Sequence, residues 1–249
     1  KPIVEMQFAD FVSCGFNQII NNLSKNHYRW GEAVNVTIRM PSGGGIGAGP
    51  FHSQNPEAWF FHTPGIKIVY PSNAIDAKGL LLASINDPNP VMFFEHKGLY
   101  RSVINEVPDD YYTISIGTGD IVKDGDDLTI ITYGQSVYWA KDISLDYEKQ
   151  GVNIEIIDLR SLIPWDKELI KKSIKKTNKA LILHEANLSG GIGSEIAAYI
   201  SEFFFEELDA PVVRVASLDT PIPFSQEIEK DIYLPLSRIK DKINYLLEY

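Results

Sequence analysis

Two histidines and five glycines crowd into RMPSGGGIGAGPFHSQNPEAWFFH, residues 39–62. Imidazole changes charge near neutral pH, so His52 and His62 suit proton transfer or carboxylate binding, and equally suit plain hydrogen bonding within a loop. The glycines could cradle phosphate, form turns, or let another group approach closely. Gly43, Gly45 and Ala48 fit a G-x-G-x-x-A template. A dinucleotide site, however, needs a helix opening at those glycines, and the next helix expected here waits for Pro56, with Gln54 or Asn55 as its cap. Gly190, Gly191 and Gly193 in HEANLSGGIGSEIAA do stand between a strand and a helix, but they match the template only in part, and tight strand-to-helix packing is their expected use. His27, His96 and His184 are spaced too irregularly for a metal pair and only Cys14 could assist, so no zinc site is expected. Neither a G-x-S-x-G elbow nor a P-loop occurs.

The elements that must position these residues alternate between β-rich runs and helical periodicity. Strands are predicted at IVEMQF (3–8), VNVTIRMP (34–41), IKIVYPS (66–72) and VMFFEH (91–96), with helices over ADFVSCGFNQIINNLSKNHYR (9–29) and from Asn73, where Ser72 or Asn73 can cap. After a turn-rich, acidic stretch the alternation resumes: strands at DLTIITYG, NIEIIDLR, KALILHEA and VVRVASL, helices at SVYWAKDISLDYEKQG, WDKELIKKSIKKT, GGIGSEIAAYISEFFFEEL and LSRIKDKINYLLEY. Such alternation means parallel strands joined by helical crossovers. The expected fold is α/β in two domains, each a mainly parallel sheet flanked by helices: residues 1–105, a linker at 106–125, and residues 126–249.

The net charge of −10 is unevenly placed. Residues 1–105 hold 8 basic and 7 acidic side chains, whereas residues 106–249 hold 15 and 26. That acidity argues against a nucleic-acid partner and fits either solubility or docking of a basic protein. No apolar run reaches the roughly 18 residues a membrane span requires, so no membrane association is expected. A lone cysteine suits a reducing compartment.

Several segments taken in order, KPIVEMQFADF, NQIINN, GGGIGAGPFHSQNPEAWFFHTPGIKIVYPS, DAKGLLLASINDPNPVMFFEHKGLYR, DLTIITYG, IDLRSLIPWD, HEANLSGGIGSEIA and DTPIPFS, resemble the β subunit of the decarboxylating component of 2-oxoacid dehydrogenase complexes. The resemblance covers nearly the whole chain, and its HSQ-x-PEA-x-F-x-HTPG stretch is highly specific. It implies a pyrimidine-binding domain followed by a transketolase C-terminal-like domain, and thiamin diphosphate shared with an α subunit or α domain that holds the diphosphate and Mg2+. It further implies a second β chain in an α2β2 assembly and a lipoyl-bearing acyltransferase docked on the C-terminal region. His52 falls at the family's active-site histidine. Phe11 falls where the family sets an aromatic ring against the aminopyrimidine, although helical periodicity alone would make it a core residue. Some relatives hold a structural K+, and the matching positions are Val34, Val36, Thr37, Ser84, Asp87 and Asn89; Asp87 and Asn89 could equally form a turn before Pro90.

The same resemblance places the family's cofactor-activating glutamate upstream of the KPIVE strand, ahead of Lys1, and Glu5 is not assigned that role. The chain as given is therefore expected to be inactive alone, and material is expected before Lys1, which is not a methionine. Tyr100 and Arg101 do not decide between pyruvate and branched-chain 2-oxoacids. A bacterial cytoplasm is preferred to a mitochondrial matrix. Rival readings are a transketolase or deoxyxylulose phosphate synthase relative, which would need basic sugar-phosphate contacts, and a non-catalytic α/β scaffold.

Overall fold

The computed structural model describes residues 1–249, the side chain of Ile232 aside. Its strands are β1 (Ile3–Glu5), β2 (Thr37–Ser42), β3 (Lys67–Val69), β4 (Val91–His96), β5 (Asp120–Lys123), β6 (Leu128–Thr132), β7 (Ile154–Asp158), β8 (Ser161–Ile163), β9 (Ala180–Asn187) and β10 (Val213–Ser217). They form two five-stranded sheets, in the orders β1-β2-β4-β3-β8 and β10-β9-β6-β7-β5. Every pairing is parallel except β8 on β3 and β5 on β7, each at a sheet edge. Residues of β4, β6 and β7 are buried on both faces, which is why these strands read as unbroken apolar runs in the sequence.

Helices Ala74–Asn86, Ser136–Glu148, Lys167–Thr177, Gly193–Phe203 and Leu236–Leu247 cover the sheets. Asn73 caps the first, its side-chain oxygen accepting the Asp76 N–H at 2.9 Å. The region expected to be helical over 9–29 instead breaks into a 3-10 stretch (Ala9–Gly15), a π turn (Gln18–Asn22), a further 3-10 turn (Leu23–Lys25) and a short α-helix (Asn26–Trp30). Gly15, two serines and four asparagines over residues 13–26 account for this, since those side chains weaken a regular helix and compete for its backbone. A second departure is an additional helical turn, Gly49–His52 with Pro50 in its first positions, which opens straight after the glycines and precedes the short helix Ala58–Phe61 that follows Pro56.

Two strands escaped the periodicity. β5 lies within residues 106–125, so the distal end of that connection belongs to the second sheet. β8 leaves the second domain's chain to finish the first sheet, Ile163 standing opposite Ile68. Arg160, at φ 56°, turns the chain between β7 and β8. Its guanidinium bonds Asp76 at 2.8 Å and Asp120 at 2.9 Å, its carbonyl accepts the Tyr70 N–H, and Ser72 donates to Asp158 at 2.5 Å. One hydrophobic cluster runs through both sheets, joining Ile68, Tyr70 and Phe94 to Ile131, Tyr133, Leu162 and Ile182. The two sheets thus share a core, and the loops at the C-terminal ends of β2, β4 and β9 meet over it.

Candidate active site

The chain leaves β2 at Ser42, passes through the glycines, and reaches His52 at the end of the turn Gly49–His52. Nδ1 of His52 lies 2.9 Å from Oδ2 of Asp10, a carboxylate only 2% exposed in the 3-10 stretch after β1. That bond fixes the ring plane and leaves Nε2 as the ring nitrogen for any further partner. The imidazole side chain is 34% exposed. Around it stand Phe8, Phe11 and Phe51, with ring centroids 5.4, 5.5 and 4.5 Å away, and Phe11 meets Phe51 edge-on at 5.3 Å. Phe11 is 41% and Phe51 48% exposed, so the core role that periodicity allowed for Phe11 is not what the fold gives it.

Lys97, just past β4, donates to the His52 carbonyl at 2.8 Å and lies 4.9 Å over the Phe8 ring. Burial pushes its ammonium down to about 8, against the upward pull of Asp10, Glu185 and Glu229. Neither Asp10 nor Lys97 was singled out from sequence. Asp10 carried a usable signal, a charge between the apolar Ala9 and Val12 on a face that must be buried. Lys97 carried none.

The glycines serve close approach, and what approaches them comes from within the chain. A Cβ on Gly43, whose φ is +92°, would sit 2.1 Å from Nε2 of His96. The Gly44 N–H donates to Glu185 at 2.5 Å, and the Gly45 N–H to Glu229 at 2.6 Å. Both acids are buried, as is His96, which meets Glu185 at 2.7 Å. Burial tends to raise the Glu185 carboxyl, but His96 and the Gly44 and Asn55 donors outweigh it and hold the acid below its ordinary range. Nearby, burial pushes Glu57 up to about 7 against the bond donated by the Tyr133 hydroxyl. Gly191 and Gly193 pack on the buried His184, whose ring atoms would lie 2.6 and 2.8 Å from added Cβ atoms, the tight packing expected of that motif. His62 and His27 are exposed.

Residues 1–103 match the family described as transketolase, pyrimidine binding domain, and residues 117–239 the transketolase C-terminal domain. A solved split-gene transketolase, described as an inactive β4 tetramer, superimposes with a TM-score of 0.79 at 23% identity, over 99% of this chain and 76% of that one, a likeness of fold. The β subunit 2 of mitochondrial 2-oxoisovalerate dehydrogenase from Arabidopsis thaliana is 45% identical over 98% of this chain and 70% of its own length. The pyruvate dehydrogenase β subunit of Staphylococcus aureus is 39% identical over 100% of this chain and 77% of its own. The chain belongs to the β-subunit family of 2-oxoacid dehydrogenases.

In this β subunit the six positions matched to a K+ site gather at one corner, between the start of β2 and the end of helix Ala74–Asn86. The Val36 carbonyl accepts the Val91 N–H at 2.9 Å, and the Asn35 amide reaches the Ile85 carbonyl at 3.1 Å, tying the segments of Val34, Val36 and Thr37 to those of Ser84, Asp87 and Asn89. Ser84 donates its hydroxyl to the Leu80 carbonyl. Asp87 accepts the Asn89 N–H at 2.9 Å, the turn foreseen as the alternative, and pairs with Lys67 at 2.5 Å. Despite burial, those donors lower its carboxyl. Among the described residues, no group of three or more His, Cys, Asp or Glu side chains is placed to hold a metal ion, and no helix is long and apolar enough to cross a membrane.

Proposed function

We propose that this β subunit, together with an α partner, decarboxylates a 2-oxoacid on thiamin diphosphate and passes the acyl group to a lipoyl-bearing acyltransferase. One observation carries the reading: a partly exposed imidazole, tied at Nδ1 to a buried carboxylate and walled by half-exposed aromatic rings, stands on an open face instead of in a closed pocket. Such a face suits a site completed by a second chain. The residues present fit one end of the cofactor, since Phe11 and Phe51 offer flat apolar surface to a pyrimidine. When bound, thiamin diphosphate supplies the carbon nucleophile and the electron sink for loss of carbon dioxide.

His52 holds or moves a proton at Nε2, beside the substrate or the arriving lipoyl group. Asp10 fixes the tautomer that makes this possible. Lys97 anchors the end of the turn bearing His52 and adds positive charge to the face an anionic 2-oxoacid would approach. The diphosphate and its Mg2+ belong, in this reading, to the α partner, and a second β chain completes an α2β2 assembly. K+, where bound, takes the carbonyl oxygens at the β2 corner. The acidic half of the chain docks a basic domain of the acyltransferase, which salt should weaken. The proposed domains are residues 1–105 and 126–249 with residues 106–125 as the connection, whose distal end pairs with the second sheet through β5. A bacterial cytoplasm remains the preferred setting.

The test is reconstitution of the full-length protein with its α subunit, thiamin diphosphate and Mg2+. Release of carbon dioxide from pyruvate or a branched-chain 2-oxoacid, with acylation of lipoamide, is expected; turnover confined to sugar phosphates would overturn the reading.

A further inference from the structure

The geometry points to Glu185, on the second sheet, as a positioning residue for His52 that grips both ends of the loop carrying it, an inference that rests on the function proposed above. Oε1 of Glu185 accepts the Gly44 N–H at 2.5 Å where the loop begins and the Asn55 side-chain amide at 3.0 Å where it ends. Between those ends the Gly43 N–H closes onto the Gln54 carbonyl at 3.1 Å. Oε2 of Glu185 meets His96 at 2.7 Å, and Lys97, the next residue, holds the His52 carbonyl. One buried carboxylate thus ties β9 to the entrance, the exit and the anchor of the loop.

Charge-assisted bonds in a water-poor environment are strong and directional, so the loop has little freedom to drift while Glu185 keeps its charge. The glycines are what permit this grip: a Cβ on Gly44 would lie 2.4 Å from Glu229 and 3.2 Å from Glu185. Glu185 does not touch the imidazole, and its influence passes through loop placement. Displacing a catalytic group by about 1 Å can reduce turnover by roughly 100-fold.

The experiment compares Glu185→Gln, His52→Ala and the double variant in full-length protein assembled with its α subunit. Glu185→Gln is expected to lower kcat at least about tenfold, with less than about a twofold change in KM for the 2-oxoacid, and to change kcat less than about twofold once His52 is alanine. Hydrogen exchange by mass spectrometry, in the same assembly without substrate, should quicken about tenfold or more over residues 43–55 and remain unchanged over β6. An equal loss of kcat in both backgrounds, or exchange quickened alike in both sheets, overturns the proposal. If Glu185→Gln does not fold, Asn55→Ala removes the exit contact together with the bond Asn55 accepts from Tyr70, a bond that Tyr70→Phe also removes, and kcat and exchange no different from those of Tyr70→Phe overturn the proposal there. A wild-type assembly that turns over no 2-oxoacid defeats the functional reading, while the exchange measurement still decides whether Glu185 holds the loop.

Discussion

His52 and His184 present the same side chain in opposite surroundings. The His52 side chain is 34% exposed, with Nδ1 tied to Asp10. His184 is 0% exposed, stacks on Tyr133 at 6.2 Å, donates from Nδ1 to the Ala186 carbonyl at 3.1 Å, and has no hydrogen-bond partner at Nε2. Burial pushes its imidazole down to about 4, so it stays neutral at physiological pH. The contrast separates a partly exposed ring, to which the proposed function gives the proton, from a ring held as a neutral filler between β9 and Gly191 and Gly193. Position in the fold, not residue type, makes that distinction.

The largest effect expected from breaking the contrast is on turnover. His52→Ala should reduce kcat by about 100-fold or more, the range for losing a positioned proton-transfer group, while Tm moves by no more than about 2 °C because the ring lies at the surface. Steady-state kinetics and a melting curve on the same assembly check both halves. A matching fall in stability and activity would make His52 a structural residue like His184.

The next effect concerns stability and belongs to the buried side. His184 is neutral in the folded state down to about pH 4, whereas an unfolded histidine protonates near its ordinary 6.5. The unfolded chain therefore binds more protons between those values, and stability is fully present above pH 6.5 and lost as pH falls toward 4. Glu57, raised to about 7 from 4.5, acts in the opposite sense: its contribution is complete below pH 4.5 and is lost as pH rises through 7. Each shift corresponds to about 3 kcal/mol, and because Tyr133 touches both groups the two slopes oppose one another in one place. Glu57→Gln should gain on wild type progressively from pH 4.5, reaching about 3 kcal/mol by pH 8, and His184→Gln should gain on wild type progressively as pH falls from 6.5 toward 4. Denaturant midpoints across that range measure both, and parallel profiles for wild type and variants would refute the assignment.

Asp10→Asn sharpens the active side. The amide keeps the size of the side chain but removes the charge facing Nδ1, so kcat should fall about tenfold, a smaller loss than deleting the ring. A variant as active as wild type would leave Asp10 a packing residue.

The scaffold was largely legible in the chain, because strands buried on both faces, such as β4 and β6, write themselves as apolar runs and capping residues such as Asn73 mark a helix start. β5 and β8 were not, since each is a short antiparallel edge whose partner is set by tertiary packing rather than by its own pattern. His52 stood out through its motif, and the structure places it beside Phe11. The partners that orient it, Asp10 and Lys97, lie 42 and 45 residues away, a separation no local spacing rule can bridge. Glu185, further still, was hidden inside an apolar strand.

Phe11 offers the finest test of the open face. Its ring is 41% exposed and meets Phe51 edge-on at 5.3 Å and His52 at 5.5 Å, so its loss should be felt where a flat ligand would lie rather than in the core. Phe11→Leu preserves apolar bulk while removing the ring, and aromatic pairs contribute about 0.5–1.5 kcal/mol beyond their buried area. The concentration of thiamin diphosphate giving half-maximal rate should rise roughly threefold to tenfold, with kcat within about twofold of wild type and Tm nearly unchanged. If kcat falls instead while cofactor dependence is untouched, the ring serves to pack His52, and the aromatic wall belongs to the imidazole alone.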